Sequence, residues 1–227
     1  DHLRKEIVRS YPWSASTVRT VHEGVNLSSF LSSSRDGEES GWESPYLLFV
    51  STLFPYKRAD QAIRAFARAS KRLDRDELRL KLAGKDPGDE SRWLKKTAQE
   101  EGVSERVDLL GAVPHDDMPG LYRGASALLF PSTVETFGLP VLEAMAAGTP
   151  VIASNRMSVP EIVGDAGIIV DPDELDDFVD AICRLLDDKS LREELIETGK
   201  ERAQAFTWKR TAQGVWETMK KAKSGYN

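Results

Sequence analysis

The sequence predicts an α/β fold: a doubly wound, Rossmann-like parallel sheet with helices on both faces. Three observations predict it. Short runs that are apolar at nearly every position recur along the chain, as strands buried on both faces require. Between them lie segments whose apolar residues follow helical spacing. The two textures alternate, which is the pattern of strand–helix–strand units.

The elements follow in order. The chain opens on Asp1-His2-Leu3-Arg4-Lys5-Glu6, a charged stretch that resembles a helix already under way, as in a piece of a longer protein. Residues 17–21 form a short β-like run before Gly24. Residues 28–44 hold seven serines in 17 positions, with Gly37 and Gly41 among acidic residues. That composition builds no core and predicts a flexible loop, with Trp42 as a large apolar side chain near its end. Strand runs then fall at 46–50, 78–83, 107–110, 127–130, 151–153 and 167–170. Residues 59–73 place Ala62, Ile63, Phe66 and Ala69 on one helical face. Residues 175–186 do the same with Phe178, Val179, Ile182, Leu185 and Leu186. A last helix over 207–223 carries Trp208, Ala212, Val215 and Met219 on one stripe. Such a stripe either caps its own domain or meets a second one. The expected organisation is a connector and loop at 1–44, the sheet domain at 45–205, and a C-terminal helix and tail at 206–227.

A chain of 227 residues buries a sizeable core without staples, and its apolar share of 40% is that of a globular protein. The formal charge of −6 argues against broad nucleic-acid binding. Cys183, the one cysteine, rules out an internal disulfide framework, fits a reducing interior and falls on a core-facing helical position. No run approaches the length of a membrane span. His2, His22 and His115 fit surface or connector roles better than catalysis.

The most informative segment begins at Pro131, after the strand ending at Phe130. Pro140 suits a first helical turn and Gly148 the residue just past a helix end, so a helix is expected from about Leu139. Thr136, Phe137, Gly138 and Leu139 then present backbone N–H groups at its N-terminus. That is an anion site, and Gly138 lets a phosphate approach closely. Glu135 lies in the loop before the helix, and Glu143 is expected in its first turn. A carboxylate beside a phosphate site suits the two hydroxyls of a ribose, since it accepts from both. A second strand-to-helix element, Ser51-Thr52-Leu53-Phe54-Pro55-Tyr56-Lys57-Arg58-Ala59-Asp60, places Lys57 and Arg58 where they oppose a helix dipole. Local stability does not ask for those cations, so they point to an anion. Gly84, after the second strand, either leaves room for a ligand or serves a turn.

The run Glu135-Thr136-Phe137-Gly138-Leu139-Pro140-Val141-Leu142-Glu143, continuing to Gly148-Thr149-Pro150-Val151, resembles the signature of family-four retaining glycosyltransferases with the GT-B fold. The resemblance extends over nearly the whole chain. It takes in His22-Glu23-Gly24-Val25-Asn26, Tyr56-Lys57-Arg58-Ala59-Asp60, Gly111-Ala112-Val113-Pro114 and Pro160-Glu161-Ile162-Val163. It implies the C-terminal, donor-binding half of a two-domain enzyme, one that moves a sugar from a UDP- or GDP-sugar and releases UDP or GDP. Glu143 would hold the ribose, the amides of 136–139 and Lys57 the diphosphate, and Glu135 the donor sugar. The backbone about Val113, between Ala112 and His115, would face the base. Glu135 and Lys57 would be the catalytic pair, with no metal and no separate cofactor.

Where many members carry Gly followed by Arg, this chain has Ser51 and Thr52. Either Arg58 restores that charge or the diphosphate is held less tightly. The Tyr-Lys-Arg-x-Asp variant looks like members that build surface polysaccharides, some from GDP-mannose. The acceptor, a glycan, a lipid or a small molecule, would belong to an N-terminal domain that also carries a catalytic His. That domain would make any peripheral contact with the cytoplasmic membrane face, and the expected location is the cytoplasm. The other functional readings are a non-catalytic nucleotide-binding module and a glycoside hydrolase using Glu135 and Glu143.

Overall fold

A computed structural model of the chain describes residues 1–31 and 45–224. The expected sheet is present. Its strands are β1 (Tyr46–Val50), β2 (Arg79–Ala83), β3 (Val107–Gly111), β4 (Ala127–Phe130), β5 (Val151–Ser154) and β6 (Ile168–Val170). They lie in the order β3-β2-β1-β4-β5-β6, and every pairing is parallel.

Alternate residues feed two cores. Leu47 and Phe49 of β1, with Ala127 and Leu129 of β4, face one side; Tyr46, Leu48, Leu128 and Phe130 face the other. Helices α3 (Ala59–Arg72), α4 (Glu90–Glu100) and α8 (Leu175–Asp187) cover the first side through Ile63, Phe66, Leu94, Phe178 and Ile182. Cys183 is buried there, as expected. Helices α5 (Met118–Arg123), α6 (Leu139–Ala147) and α7 (Val159–Val163) cover the second through Tyr122, Leu142, Met145 and Ile162. The helix after β1 therefore leaves to one face and the helix after β4 to the other. Between two such neighbours the carboxyl edge of the sheet opens into a crevice where ligands bind.

Two expectations need correction. Residues 17–21 form no strand: Thr17 and Val18 donate back to the Ser14 carbonyl in a turn, and Val21 lies against Gly214 of α10 (Trp208–Ser224). A helix offers that segment side chains and no ladder to join. The serine-rich stretch is also not loop throughout. Its first residues lie in α2 (Leu27–Leu31), where Phe30 is buried edge-on to Tyr122, 5.9 Å between ring centres. The rest of that stretch, Trp42 included, lies outside the described residues.

The remaining helices, α1 (His2–Ser10) and α9 (Lys189–Ala203), bracket the sheet domain. Asp188 caps α9 by accepting from the Leu191 N–H, and Gly199 of that helix lies against Met145 of α6. The connector runs along the start of α10. Val25 N–H donates to the Phe206 carbonyl at 3.0 Å, and Thr211 Oγ1 donates to the His22 carbonyl at 2.8 Å. A Cβ on Gly24 would overlap the backbone of Thr207 and Trp208, so only glycine fits. Trp208, Val215, Trp216 and Met219 of α10 are exposed, as are Leu3 and Ile7 of α1.

Gly84 has a structural reason of its own, since a Cβ there would overlap the Ser51 carbonyl. Gly84→Ala is expected to lower stability by roughly 1–3 kcal/mol through overpacking. Gly120 in α5 has open space around it, and Gly120→Ala is expected to raise stability by about 0.4–1 kcal/mol. Urea melts of the two variants check both signs.

Candidate functional site

The crevice between β1 and β4 is built by the loops that follow these strands. Ser51 N–H donates to the Ala83 carbonyl and Leu53 N–H to the Lys85 carbonyl, which ties the first loop to the neighbouring strand's exit. A 3-10 turn over Pro55–Lys57 then leads to Arg58, which takes a left-handed conformation (φ 57°) before α3. This turn aims Lys57 across the crevice.

The second loop, from Pro131 to Gly138, is pinned from three sides. Thr133 donates to the Tyr56 carbonyl twice, through N–H at 2.9 Å and Oγ1 at 3.0 Å. Ser154 Oγ, at the end of β5, donates to the Ser132 carbonyl at 2.6 Å. Ser158 Oγ, just before α7, lies 2.9 Å from the Glu135 carbonyl and 3.3 Å from that of Phe137. Gly138 (φ 101°) then turns the chain into α6 in a conformation that disfavours any side chain. The expected helix limits hold: Pro140 lies in the first turn, and Gly148 ends the helix in left-handed geometry (φ 75°).

These two loops bring Lys57 and Glu135 together. Lys57 Nζ stands 2.5 Å from Glu135 Oε2 and 3.4 Å from the Val134 carbonyl, and both side chains are largely buried. Immediately after Glu135, the backbone N–H groups of Thr136, Phe137, Gly138 and Leu139 have no hydrogen-bond acceptor among the described residues. The start of α6 thus offers free N–H donors directly after Glu135, the residue that Lys57 meets, an arrangement suited to an anion.

Glu143 departs from expectation. It lies one turn into α6, outside the first turn, and is 9% exposed, so complementing the helix dipole is not its role. Tyr122 donates to Glu143 Oε2 at 2.7 Å, and the Tyr122 carbonyl in turn accepts from Thr149 Oγ1 at 2.6 Å. Burial pushes the Glu143 carboxyl above the usual carboxylate range, against the downward pull of the Tyr122 hydrogen bond and of His115. Tyr122 is pushed well up as well, by burial first and then by Glu143.

The other site residues take distinct places. Val113 is half-buried against the core on the Glu143 side and lines an open cavity of about 580 Å³ with Ala112, Pro114 and Arg123. Phe137 is buried beside Phe206 and His22. Arg58 is paired with Asp173, 3.0 Å away in the loop after β6, and Arg156 joins the same carboxylate at 2.8 Å. Gly84 stands against Ser51, as described above. His22 Nε2 is 2.7 Å from Glu161 Oε1, which fits its expected connector role.

Tyr122, Ser154, Ser158 and Asp173 were not foreseen. Each acts through a partner distant in sequence, and single hydroxyls and a surface aspartate carry no spacing signal. Phe54 and Tyr56, stacked at 5.4 Å and 13°, were visible only as part of the first loop's sequence.

A parallel sheet whose order reverses at the β1/β4 crevice, with the Lys57–Glu135 pair and the N-terminus of α6 at its carboxyl edge, defines a Rossmann-like domain. The chain belongs to the family described as Glycosyl transferases group 1, whose model matches residues 33–202. It is 32% identical over 216 residues to the O-antigen chain mannosyltransferase B of Escherichia coli, covering 92% of this chain and 55% of that protein. It is 31% identical over 232 residues to the D-inositol 3-phosphate glycosyltransferase of Saccharomonospora viridis, covering 97% and 54%. Among solved structures, the sucrose-phosphate synthase of Thermosynechococcus elongatus matches with a TM-score of 0.83 at 28% identity, over 98% of this chain and 57% of that one. The chain therefore spans about half the length of the curated relatives it matches. The family and the GT-B type of fold that the motifs implied both hold.

The raised Glu143 carboxyl has a signed consequence. The folded state holds this proton to higher pH than the unfolded state does. Stability is therefore expected to fall as pH rises from about 4.5, the ordinary glutamate range, through the folded-state titration. Glu143→Gln should remove that slope, and Tyr122→Phe should cost about 1–3 kcal/mol at pH 7.5 and less at pH 4. Urea melts at the two pH values check this, and an equal loss at both would refute it.

Proposed function

We propose that this chain is the donor-binding half of a glycosyltransferase that takes a sugar from a nucleotide-diphosphate sugar. The observation that carries the proposal is that Lys57 reaches across the β1/β4 crevice to Glu135, whose chain continues directly into the free amides of residues 136–139. A diphosphate needs several donors, and the loops after β1 and β4 bring an ammonium and a helix N-terminus to the sheet's carboxyl edge. Glu143 lies one turn deeper, with one oxygen engaged by Tyr122 and capacity to accept from ribose hydroxyls. The backbone about Val113 supplies a wall for the base.

In such a transfer the bond between the anomeric carbon and the diphosphate breaks, and negative charge grows on the departing phosphate. Lys57 and the oriented amides stabilise charge where it develops, usually the largest catalytic contribution. Glu135 accepts from hydroxyls of the donor sugar. Arg58 adds positive charge nearby, within its pairing to Asp173. In this proposal Lys57 supplies the cation, so no metal is called for, and UDP or GDP is the product. Retention at the anomeric carbon is taken over from the family-four resemblance.

The acceptor, a glycan or a lipid, and the rest of the catalytic groups belong to the other half of the relatives' length. The exposed Trp208, Val215, Trp216 and Met219 of α10 support a helix that packs toward that half. Among the described residues no helix is long and apolar enough to cross a membrane. We place the full protein in the cytoplasm, with any membrane contact peripheral and made through that other half. A mannosyl donor is favoured by the likeness to the E. coli mannosyltransferase, and GDP as its carrier rests on the Tyr-Lys-Arg-x-Asp resemblance. The hydrolase reading fits less well, because Glu135 is tied to a lysine and Glu143 to a buried tyrosine.

Calorimetric titration with UDP, GDP and ADP tests the donor site. At least one is expected to bind, with Glu143→Ala weakening it about tenfold or more through loss of the ribose contact. Glu135→Ala should not weaken it comparably, and the chain alone should transfer no sugar. Failure of all three nucleotides to bind would sink the assignment.

A further inference from the structure

Lys57 and Glu135 neutralise one another. Their 2.5 Å contact is set from both sides, because the Lys57 N–H donates to the Phe54 carbonyl and Ser158 holds the Glu135 carbonyl. Glu135 also leans over the mouth of α6: its Cγ lies 3.7 Å from where a Cβ on Gly138 would stand. The carboxylate therefore competes with any incoming anion twice, for the lysine and for the amide-lined mouth. Both side chains are only 13–14% exposed, so water screens that competition poorly.

Resting on the donor-site reading above, we propose that Glu135 makes this site discriminate a sugar-bearing nucleoside diphosphate from the bare one. A diphosphate that draws Lys57 to itself leaves the Glu135 carboxylate without its cation and next to a second anion. A largely buried charge deprived of its partner is costly. A bare nucleoside diphosphate offers nothing in return. A sugar on the terminal phosphate does, because its hydroxyls donate to the carboxylate just as the lysine leaves it. Substrate thus satisfies both members of the pair, whereas product satisfies one. Once the sugar has gone, Glu135 takes Lys57 back and favours release of the diphosphate. Glu135 is in this sense a specificity-determining residue as well as a sugar contact.

Titration of the 227-residue chain with UDP, UDP-glucose, GDP and GDP-mannose tests the proposal, with wild type, Glu135→Gln and Glu135→Ala compared at pH 7.5. Circular dichroism verifies that each variant is folded. For whichever base binds, both variants are expected to hold the bare diphosphate about tenfold more tightly than wild type, and the preference for the sugar-bearing form should collapse toward unity. A merely structural role for Glu135 would instead weaken both ligands together. That outcome, or an unchanged ratio of the two affinities, would overturn the proposal while leaving the donor site standing. No binding of any of the four by wild type or variants would overturn the donor site, and this inference with it.

Discussion

One carbonyl, that of Tyr56, holds the functional edge together. It accepts both the N–H and the hydroxyl of Thr133, and so stitches the loop after β1 to the loop after β4. The two strands are neighbours in register, Leu47 opposite Ala127 and Leu48 opposite Leu128, yet their helices depart to opposite faces. Loops leaving such a pair diverge unless something joins them. Lys57 is the residue after the shared carbonyl, and Glu135 follows Thr133 by two positions, so the stitch brings ammonium and carboxylate into contact. Ser154 and Ser158 brace the far side of the same loop from β5 and from the start of α7. The site is thereby carried by the sheet, whose strands are packed against a close-fitting core on each face.

The two glutamates of the motif are chemically alike and are made different by their surroundings. Glu135 faces a cation and a row of backbone N–H groups in a half-open mouth. Glu143 faces a phenol and an apolar wall, and burial resists its ionisation. A carboxyl of the second kind suits neutral hydroxyl donors that reward its charged form; one of the first kind suits a place where charge is exchanged. Environment separates the jobs, as it does wherever two carboxyls share a site.

The fold was legible because burial on both faces writes itself into consecutive residues. Every run of apolar strand residues became a strand of one parallel sheet, and Pro140 and Gly148 marked the ends of α6 correctly. Residues 17–21 misled because β-branched side chains fit a strand or the flank of a helix equally well, and Gly214 provided the flank. Phe30 was invisible within its serines, since burial depends on Tyr122 far along the chain. In the site, the residue types Lys57, Glu135 and Glu143 could be read, but their pairings could not. That Lys57 meets Glu135, that Arg58 meets Asp173 and that Glu143 meets Tyr122 are consequences of strand order, which places loops together across 78, 115 and 21 positions. Even the depth of Glu143 turned on one residue, because counting from Leu139 moves it out of the first turn and into the wall.

A net charge of −6 and an anion site are compatible for a reason of scale. Surface charges are screened within about 8 Å at physiological ionic strength. Much of the acidity is also spent locally. Arg68, Arg72 and Arg75 on the α3 side each meet an aspartate of α8, at Asp176, Asp180 and Asp187. Those exposed pairs add little stability, but they offset part of α8's negative charge where it stands. In the proposed donor site, what a diphosphate would meet is decided by the groups nearest the Lys57–Glu135 pair: one lysine, four amides and one carboxylate. The balance among those six, and not the charge of the chain, sets the affinity. Because the carboxylate is the only one that opposes the ligand, it is also the one whose neutralisation by a sugar can tell substrate from product.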